Sequence, residues 1–180
     1  VKTLLQIYAD LVAEHGKYCT DKGGTHSYLP IYEAAFAPLR HQPVSLLEAG
    51  VRHGSSLVLW NRYFLQAAVV GLDTEPDLKV DIRPATLLPW DASKVDCLFR
   101  VYDIIIDDGD HSLESQLRTY ANLRRYLKPG GLYFIEDTYG RGAWEIRREL
   151  QKELSAVRIY DLRALDRRSD SMLVQVFPSY

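Results

Sequence analysis

Cysteine is almost missing from this chain: Cys19 and Cys97 stand far apart and in no metal-ligand spacing. A disulfide framework and a thiolate metal site are thereby set aside, and both residues read as ordinary thiols of a reducing compartment. Long apolar runs are missing as well, since none approaches the roughly 20 residues of a membrane span. The first residues lack the basic-then-apolar pattern of a secretion signal, so the expectation is a soluble, cytoplasmic protein with no membrane partner. Nor does one sign of charge dominate. Lys and Arg number 22 against 24 Asp and Glu, a formal net charge of -2, which argues against a dedicated nucleic-acid surface. Internal repeats and low-complexity tracts are absent.

What is present is enough for one domain, because a chain of 180 residues can bury well over half of its unfolded surface around a single core. Residues 3–15 place Leu4, Tyr8, Leu11 and Val12 on one stripe, the mark of an amphipathic helix. Residues 16–43 mix Gly, Thr, Asp and Pro with aromatics and read as a loop plus a short helix. From residue 44 apolar runs of strand length alternate with helical patterns: "VSLLEAG", "SSLVLWNRYFL", "AAVVGLD", then "VYDIIIDD", the helical series Leu113, Leu117, Tyr120, Leu123 and Leu127, and "LYFIED". A helix near 143–155 and two strands near 157–163 and 171–177 follow. Continuous apolar strands separated by helices imply an α/β fold with a mostly parallel sheet covered on both faces. The expected organisation is an N-terminal helix and cap over 1–43, joined to a core over 44–180 in one compact domain.

In such a sheet ligands bind beyond the carboxyl ends of the strands. After the first strand comes "EAGVRHGSS", where Gly50 and Gly54 permit a tight turn and Ser55 or Ser56 can cap the next helix. The second strand ends in Asp73, suited to accept hydrogen bonds from a ribose diol. A glycine turn with a strand-terminal Asp some twenty residues later points to a nucleoside ligand. The stretch "YDIIIDDGDHS" is the most unusual. Three isoleucines run into Asp107, Asp108 and Asp110 with His111 beside them, and carboxylates crowded so closely call for a cation.

Four segments in order, "LLEAGVRHGSS", "VVGLDTEP", "YDIIIDDGDH" and "LKPGGLYFIEDTY", resemble the class I S-adenosylmethionine-dependent methyltransferases. The likeness is nearest to the metal-dependent O-methyltransferases that modify sugars of macrolides and related natural products. "TDKGGTHSYLPIYEAAFAPLR" is similar to that group's N-terminal signature, so the resemblance spans roughly residues 17–140. It implies a Rossmann-like, doubly wound seven-stranded sheet with the last strand inserted antiparallel. It also implies S-adenosylmethionine as cofactor, magnesium, and a small-molecule alcohol such as a sugar as acceptor. Residue by residue, Glu48, Gly50, Gly54 and Ser56 would form the loop beneath the methionine part of the cofactor. Asp73 would take the ribose, Asp91 the adenine amino group, and Asp107 would hold its loop or contact the cofactor. Asp108 with the pair Glu136 and Asp137 would hold the metal, and His111 would be the general base. His26, Tyr28 and Tyr32 would cover the site, with Tyr139 and Arg141 on the substrate side.

Other readings stay open on the residues themselves. "DDGDHS" is also what a strand-ending turn looks like, with Asp110 or Ser112 capping the next helix. Glu48 is equally a carboxylate that satisfies its own loop. A nicotinamide-dependent dehydrogenase shares the glycine turn and Asp73, although "GVRHGS" lacks the middle glycine of its fingerprint. A non-catalytic nucleoside-binding module, or a homo-oligomer, is compatible with the same pattern.

Overall fold

A computed structural model describes residues 1–152 and 156–178. Its seven-stranded sheet has the order β3-β2-β1-β4-β5-β7-β6. The strands are β1 (Pro43–Ala49), β2 (Gln66–Leu72), β3 (Thr86–Leu88), β4 (Tyr102–Asp107), β5 (Leu127–Ile135), β6 (Ala156–Asp161) and β7 (Met172–Phe177). β1 to β5 pair in parallel, whereas β7 runs antiparallel between β5 and β6. This is the mixed, Rossmann-like arrangement with an inserted antiparallel last strand that the resemblance implies.

Helices cover both faces, and the side-chain pattern explains why. On one face α1 (Leu4–His15), α2 (Leu29–Phe36) and α3 (Ser55–Tyr63) bring Leu4, Ile7, Leu11, Phe36 and Trp60 against Leu46, Ile104 and Phe134. On the other, α4 (Leu113–Leu123) and α5 (Gly142–Gln151) bury Tyr120, Leu123 and Ile146 against Leu47, Ile105 and Val174. Alternate residues of β4 thus feed opposite cores, as the two-residue period of a strand requires. Each such aliphatic or aromatic side chain contributes about 1.5–3 kcal/mol when fully buried. A short α6 (Arg163–Asp166) joins β6 to β7. Among the described residues no helix is long and apolar enough to cross a membrane.

Some local details depart from the sequence reading. The buried stripe of α1 is Leu4, Ile7 and Leu11, while Val12 is exposed, because the helix turns its i, i+3, i+7 face to α3. β3 lies in the stretch with no clear periodicity, and its three residues are too few to show one. The last residues of the helix expected over 143–155 lie outside the described residues. Neither Ser55 nor Ser56 caps α3, whose N-cap is Gly54 in the left-handed region at φ 88°.

Register brings the strand ends level. Ala49 pairs with Asp107, and Asp107 with Ile135, so the loops after β1, β4 and β5 leave the sheet side by side. Backbone hydrogen bonds stitch them together: Gly50 N–H donates to the Leu72 carbonyl, Asp108 N–H to Ala49, and Glu136 N–H to Asp107. Gly50, at φ 83°, is irreplaceable in this geometry, since a Cβ there would lie 1.9 Å from the Asp108 carbonyl oxygen. Gly50→Ala combines that clash with a left-handed backbone, and is expected to cost at least about 2 kcal/mol of stability. Urea unfolding checks this; a midpoint equal to that of the wild type would mean the loop relaxes without penalty.

Candidate active site

The sheet order reverses at β1 and β4, and a cleft of about 1020 Å³ opens there. Gly50 from the first loop, Ser56 from the start of α3, Asp73 after β2, Asp91, Asp107 at the end of β4 with Asp108 to His111 after it, and Asp137 after β5 all line it. The N-terminal segment forms the facing wall with Cys19, Thr20, Asp21, Gly24 and Thr25. A second hollow of about 660 Å³ adjoins His111 and is bounded by Tyr139, Arg141 and Gly142.

Beneath the cleft lies the cation that the crowded carboxylates call for. Lys22 is completely buried, with Nζ 2.5 Å from Asp108 Oδ2, 3.0 Å from Glu136 Oε2 and 3.3 Å from Glu48 Oε1. A tight turn delivers it: the Asp21 carbonyl accepts the N–H groups of Gly24, Thr25 and His26, while the Lys22 carbonyl accepts that of Tyr28. Burial alone would lower the Lys22 pKa, but Asp108, Glu136 and Glu48 outweigh it and hold it well above the ordinary lysine value. Burial would likewise raise the Asp108 pKa, yet Lys22 and His111 keep that carboxyl below its usual range. For Glu136 burial wins over Lys22, and its pKa rises well above normal.

The signature segment holds this cluster from below. Tyr32 sits in an aromatic group with Phe36, Trp60 and Phe134, at centroid distances of 5.0–5.4 Å, and its hydroxyl donates to Glu136 Oε1 at 2.5 Å. Tyr28 donates to Asp137 Oδ1 at 2.7 Å and stacks on His26, whose Nδ1 lies 2.8 Å from Ser171 Oγ. These three residues are all buried and belong to the floor rather than to the cleft wall. Glu48 is also below the cleft, accepting from Trp60 Nε1 at 3.0 Å. Gly54 packs under the loop containing Leu78 and Ile82.

Asp108, His111 and Asp137 come together at the cleft. Their ligand atoms all lie within 4.8 Å of one another, so one small cation can reach all three. Asp108 Oδ1 is 3.5 Å from His111 Nε2, a nitrogen without a hydrogen bond, and the Asp108 carboxylate raises the His111 pKa. Asp137 adopts φ 52°, a left-handed conformation costly for a residue other than glycine, and that inversion turns its carboxylate toward His111. Adjacent Glu136 faces the other way, with its oxygens on Tyr32 and Lys22, so the acidic pair is divided between cleft and floor. Ser112 does cap α4, accepting from Ser115 N–H, so the turn reading and the cluster coexist.

The nucleoside side is more committed to its own loops than the sequence implies. Asp73 Oδ2 accepts N–H bonds from Val51 and Arg52, and Oδ1 accepts one from Glu75, which leaves Oδ1 as the freer acceptor. Asp91 takes the Ser93 N–H and hydroxyl on Oδ1 and Lys94 on Oδ2. Asp107 is buried at the cleft wall. Its Oδ1 accepts from Gly109 N–H, its Oδ2 has no partner, and burial pushes its pKa up to about 8. Tyr139 is half exposed, 3.4 Å from Asp170. Lys22 was not singled out in the sequence, although it is the sole Lys or Arg between Tyr18 and Leu39. An acidic cluster awaiting a cation and one lysine in a polar, glycine-flanked turn were the available signal.

Comparison with known proteins bears on the family and the fold. No domain-family profile matches the chain. It is 35% identical over 144 residues to the 8-demethyl-8-(2-methoxy-alpha-L-rhamnosyl)-tetracenomycin-C 3'-O-methyltransferase of Streptomyces olivaceus, covering 72% of this chain and 37% of that protein. Identity is 34% over 145 residues to the mycinamicin VI 2''-O-methyltransferase of Micromonospora griseorubida, covering 72% and 36%. Among solved structures, the MycE methyltransferase of the mycinamycin pathway, in complex with Mg, SAH and mycinamycin VI, superposes with a TM-score of 0.64. The identity there is 30%, over 77% of this chain and 39% of that one. Another crystal form of MycE matches 98% of this chain and 55% of its own with a TM-score of 0.73 at 24% identity, which speaks for the fold. The chain has the Rossmann-like fold of class I S-adenosylmethionine-dependent methyltransferases. Within that class it is a homologue of macrolide and related sugar O-methyltransferases, and it spans little more than a third of the curated relatives it matches, 37% of the first.

The floor generates its own prediction. Tyr32→Phe removes the hydroxyl that satisfies Glu136 Oε1 and leaves a buried acceptor unpaired, at a cost of about 1–3 kcal/mol. Equilibrium unfolding in urea is the check, and an unchanged midpoint would show that Glu136 is satisfied by other means.

Proposed function

We propose that this chain carries out S-adenosylmethionine-dependent O-methylation of a hydroxyl on a sugar or related natural-product molecule, assisted by magnesium and with His111 as general base. The observation that carries this reading is the meeting of Asp108, His111 and Asp137 at the strand-end cleft. The names of the homologues and the Mg and SAH of the MycE complexes support it. A cytoplasmic setting goes with it, in keeping with two free cysteines.

The donor set fits a hard divalent cation. Asp108 and Asp137 offer carboxylate oxygens at the cleft, whereas Glu136, expected as a third ligand, is turned into the floor with its oxygens on Tyr32 and Lys22 and lies outside that group. Magnesium bound there would lower the pKa of a coordinated hydroxyl and neutralise the alkoxide. Because oxygen suits such an ion better than nitrogen, His111 is left to accept the hydroxyl proton at a ring nitrogen. Asp108, facing Nε2, orients the imidazole and stabilises it once protonated. On the cofactor side the cleft admits a nucleoside against Gly50, with Asp73 Oδ1, which accepts one bond from Glu75 N–H, able to take a second from a ribose hydroxyl. Tyr139 and Arg141 bound the hollow next to His111, where an acceptor would enter. Thr20, Asp21, Gly24 and Thr25 wall the cleft and limit the access of water that would compete for the methyl group.

Substitutions separate these roles. His111→Ala should lower turnover about 10²–10⁴-fold while leaving S-adenosylhomocysteine affinity near that of the wild type, because a base acts in the transition state. Asp108→Asn should raise the magnesium concentration required for activity. Labelled cofactor with a panel of glycoside acceptors gives turnover, and calorimetry gives affinity. Full turnover in chelator would remove the metal, and full turnover of His111→Ala would remove the base.

A further inference from the structure

We propose that Lys22 is a positioning residue: a built-in counter-cation that keeps the strand-end carboxylates assembled before a divalent ion binds, and that weakens the ion's hold once it does. The inference rests on the metal reading above only in its second half. Its first half stands on geometry alone. The ammonium is fully buried, reaches carboxylates from the ends of three neighbouring strands, and comes from the cap segment rather than from the sheet.

Asp108 is the hinge of the argument. Its Oδ2 is bound to Lys22 and its Oδ1 faces His111, so one carboxylate joins the buried cation to the cleft cluster. Held from below, Asp108 presents a fixed oxygen upward. Glu136 is held likewise by Lys22 and Tyr32. Without the ammonium, buried Glu48 and Glu136 and part-buried Asp108 would face one another, and breaking a buried ion pair is strongly destabilising. The same fixed charge acts against any cation in the cleft. It cancels part of the carboxylate field that a divalent ion needs, and at separations of a few ångströms in a partly buried site that loss is large. A bound ion would therefore be held loosely enough to exchange, while the empty site stays formed.

Lys22→Met tests both halves through stability and metal affinity. In chelator its melting temperature should fall by about 10 °C from the wild type, the shift expected for a broken buried pair in a domain of this size. Saturating magnesium chloride should return most of that loss, and more than it adds to the wild type. Calorimetric titration with magnesium chloride should give binding at least about tenfold tighter than in the wild type. In Lys22→Met/Glu48→Gln, which removes one of the stranded acids while keeping an acceptor for Trp60, part of the loss in chelator should be recovered; a mere packing defect would not respond. If Lys22→Met does not fold at all, the double variant carries the same comparisons. Melting in chelator within about 2 °C of the wild type overturns the counter-cation role, and so does a loss that Glu48→Gln fails to relieve. Magnesium affinity equal to or weaker than that of the wild type overturns the second half. A wild type that binds no magnesium, with the stability effects intact, overturns the metal reading of the cleft and leaves the counter-cation standing.

Discussion

The ammonium of Lys22 under the ends of β1, β4 and β5 is the interaction on which the site depends. Parallel strands bring their carboxyl ends to one edge, and here three of those ends carry acids that the register forces close together. Unit charges about 4 Å apart at an effective dielectric of about 20 interact by about 4 kcal/mol, so a single central cation decides whether the edge is tolerable. Everything else in the floor serves to hold that cation and its partners in place. The aromatic group around Trp60 fixes Tyr32, Tyr32 fixes Glu136, and the Asp21 turn fixes Lys22.

The architecture was open to reading because its signals are redundant. Four parallel strands fed by continuous apolar runs, helices with four-residue spacing and glycine turns at strand ends each point to the same fold. The antiparallel insertion of β7 was not demanded by the apolar run at 171–177; the family resemblance supplied it. β3 stayed hidden, since Thr86–Leu88 sits among prolines and charges and gains its strand character only by pairing with β2.

The cleft cluster was visible as a pattern of acids, but its partition was not. Asp108 and His111 share a loop and were readable from their spacing. Glu136 and Asp137 are consecutive, and consecutive residues leaving a strand point to opposite sides. Which of them faces the cleft depends on the left-handed backbone at Asp137, a conformation no composition rule assigns to aspartate. His26, Tyr28 and Tyr32 were noticed for their density, yet their depth could not be read, because a tyrosine that reaches into a pocket and one that props up its floor have the same sequence. Lys22 escaped for the complementary reason: a lysine in a polar turn is normally a solvated one.

The division of the acidic pair carries a consequence for how such a site is built. A carboxylate that must bind a cation and also survive burial needs two kinds of partner, one permanent and one exchangeable. Asp108 has both, one oxygen on Lys22 and the other toward His111. Glu48 and Glu136 lean on the permanent partners, and Asp137 keeps Oδ2 toward the two histidines while Tyr28 holds Oδ1. Even with Lys22 counted, the group of Glu48, Asp107, Asp108, Glu136 and Asp137 holds more acids than cations. Burial raises the pKa values of Glu48, Asp107, Glu136 and Asp137, which meets part of that imbalance, because a buried carboxyl without enough positive charge tends to keep its proton. Asp108, held below the usual range by Lys22 and His111, is the acid of the group that keeps its charge at the edge of the cleft, where solvent and ligands have access. The floor thus lowers its own charge by burial, and the carboxylate it keeps ionised is the one that faces both Lys22 and the cleft.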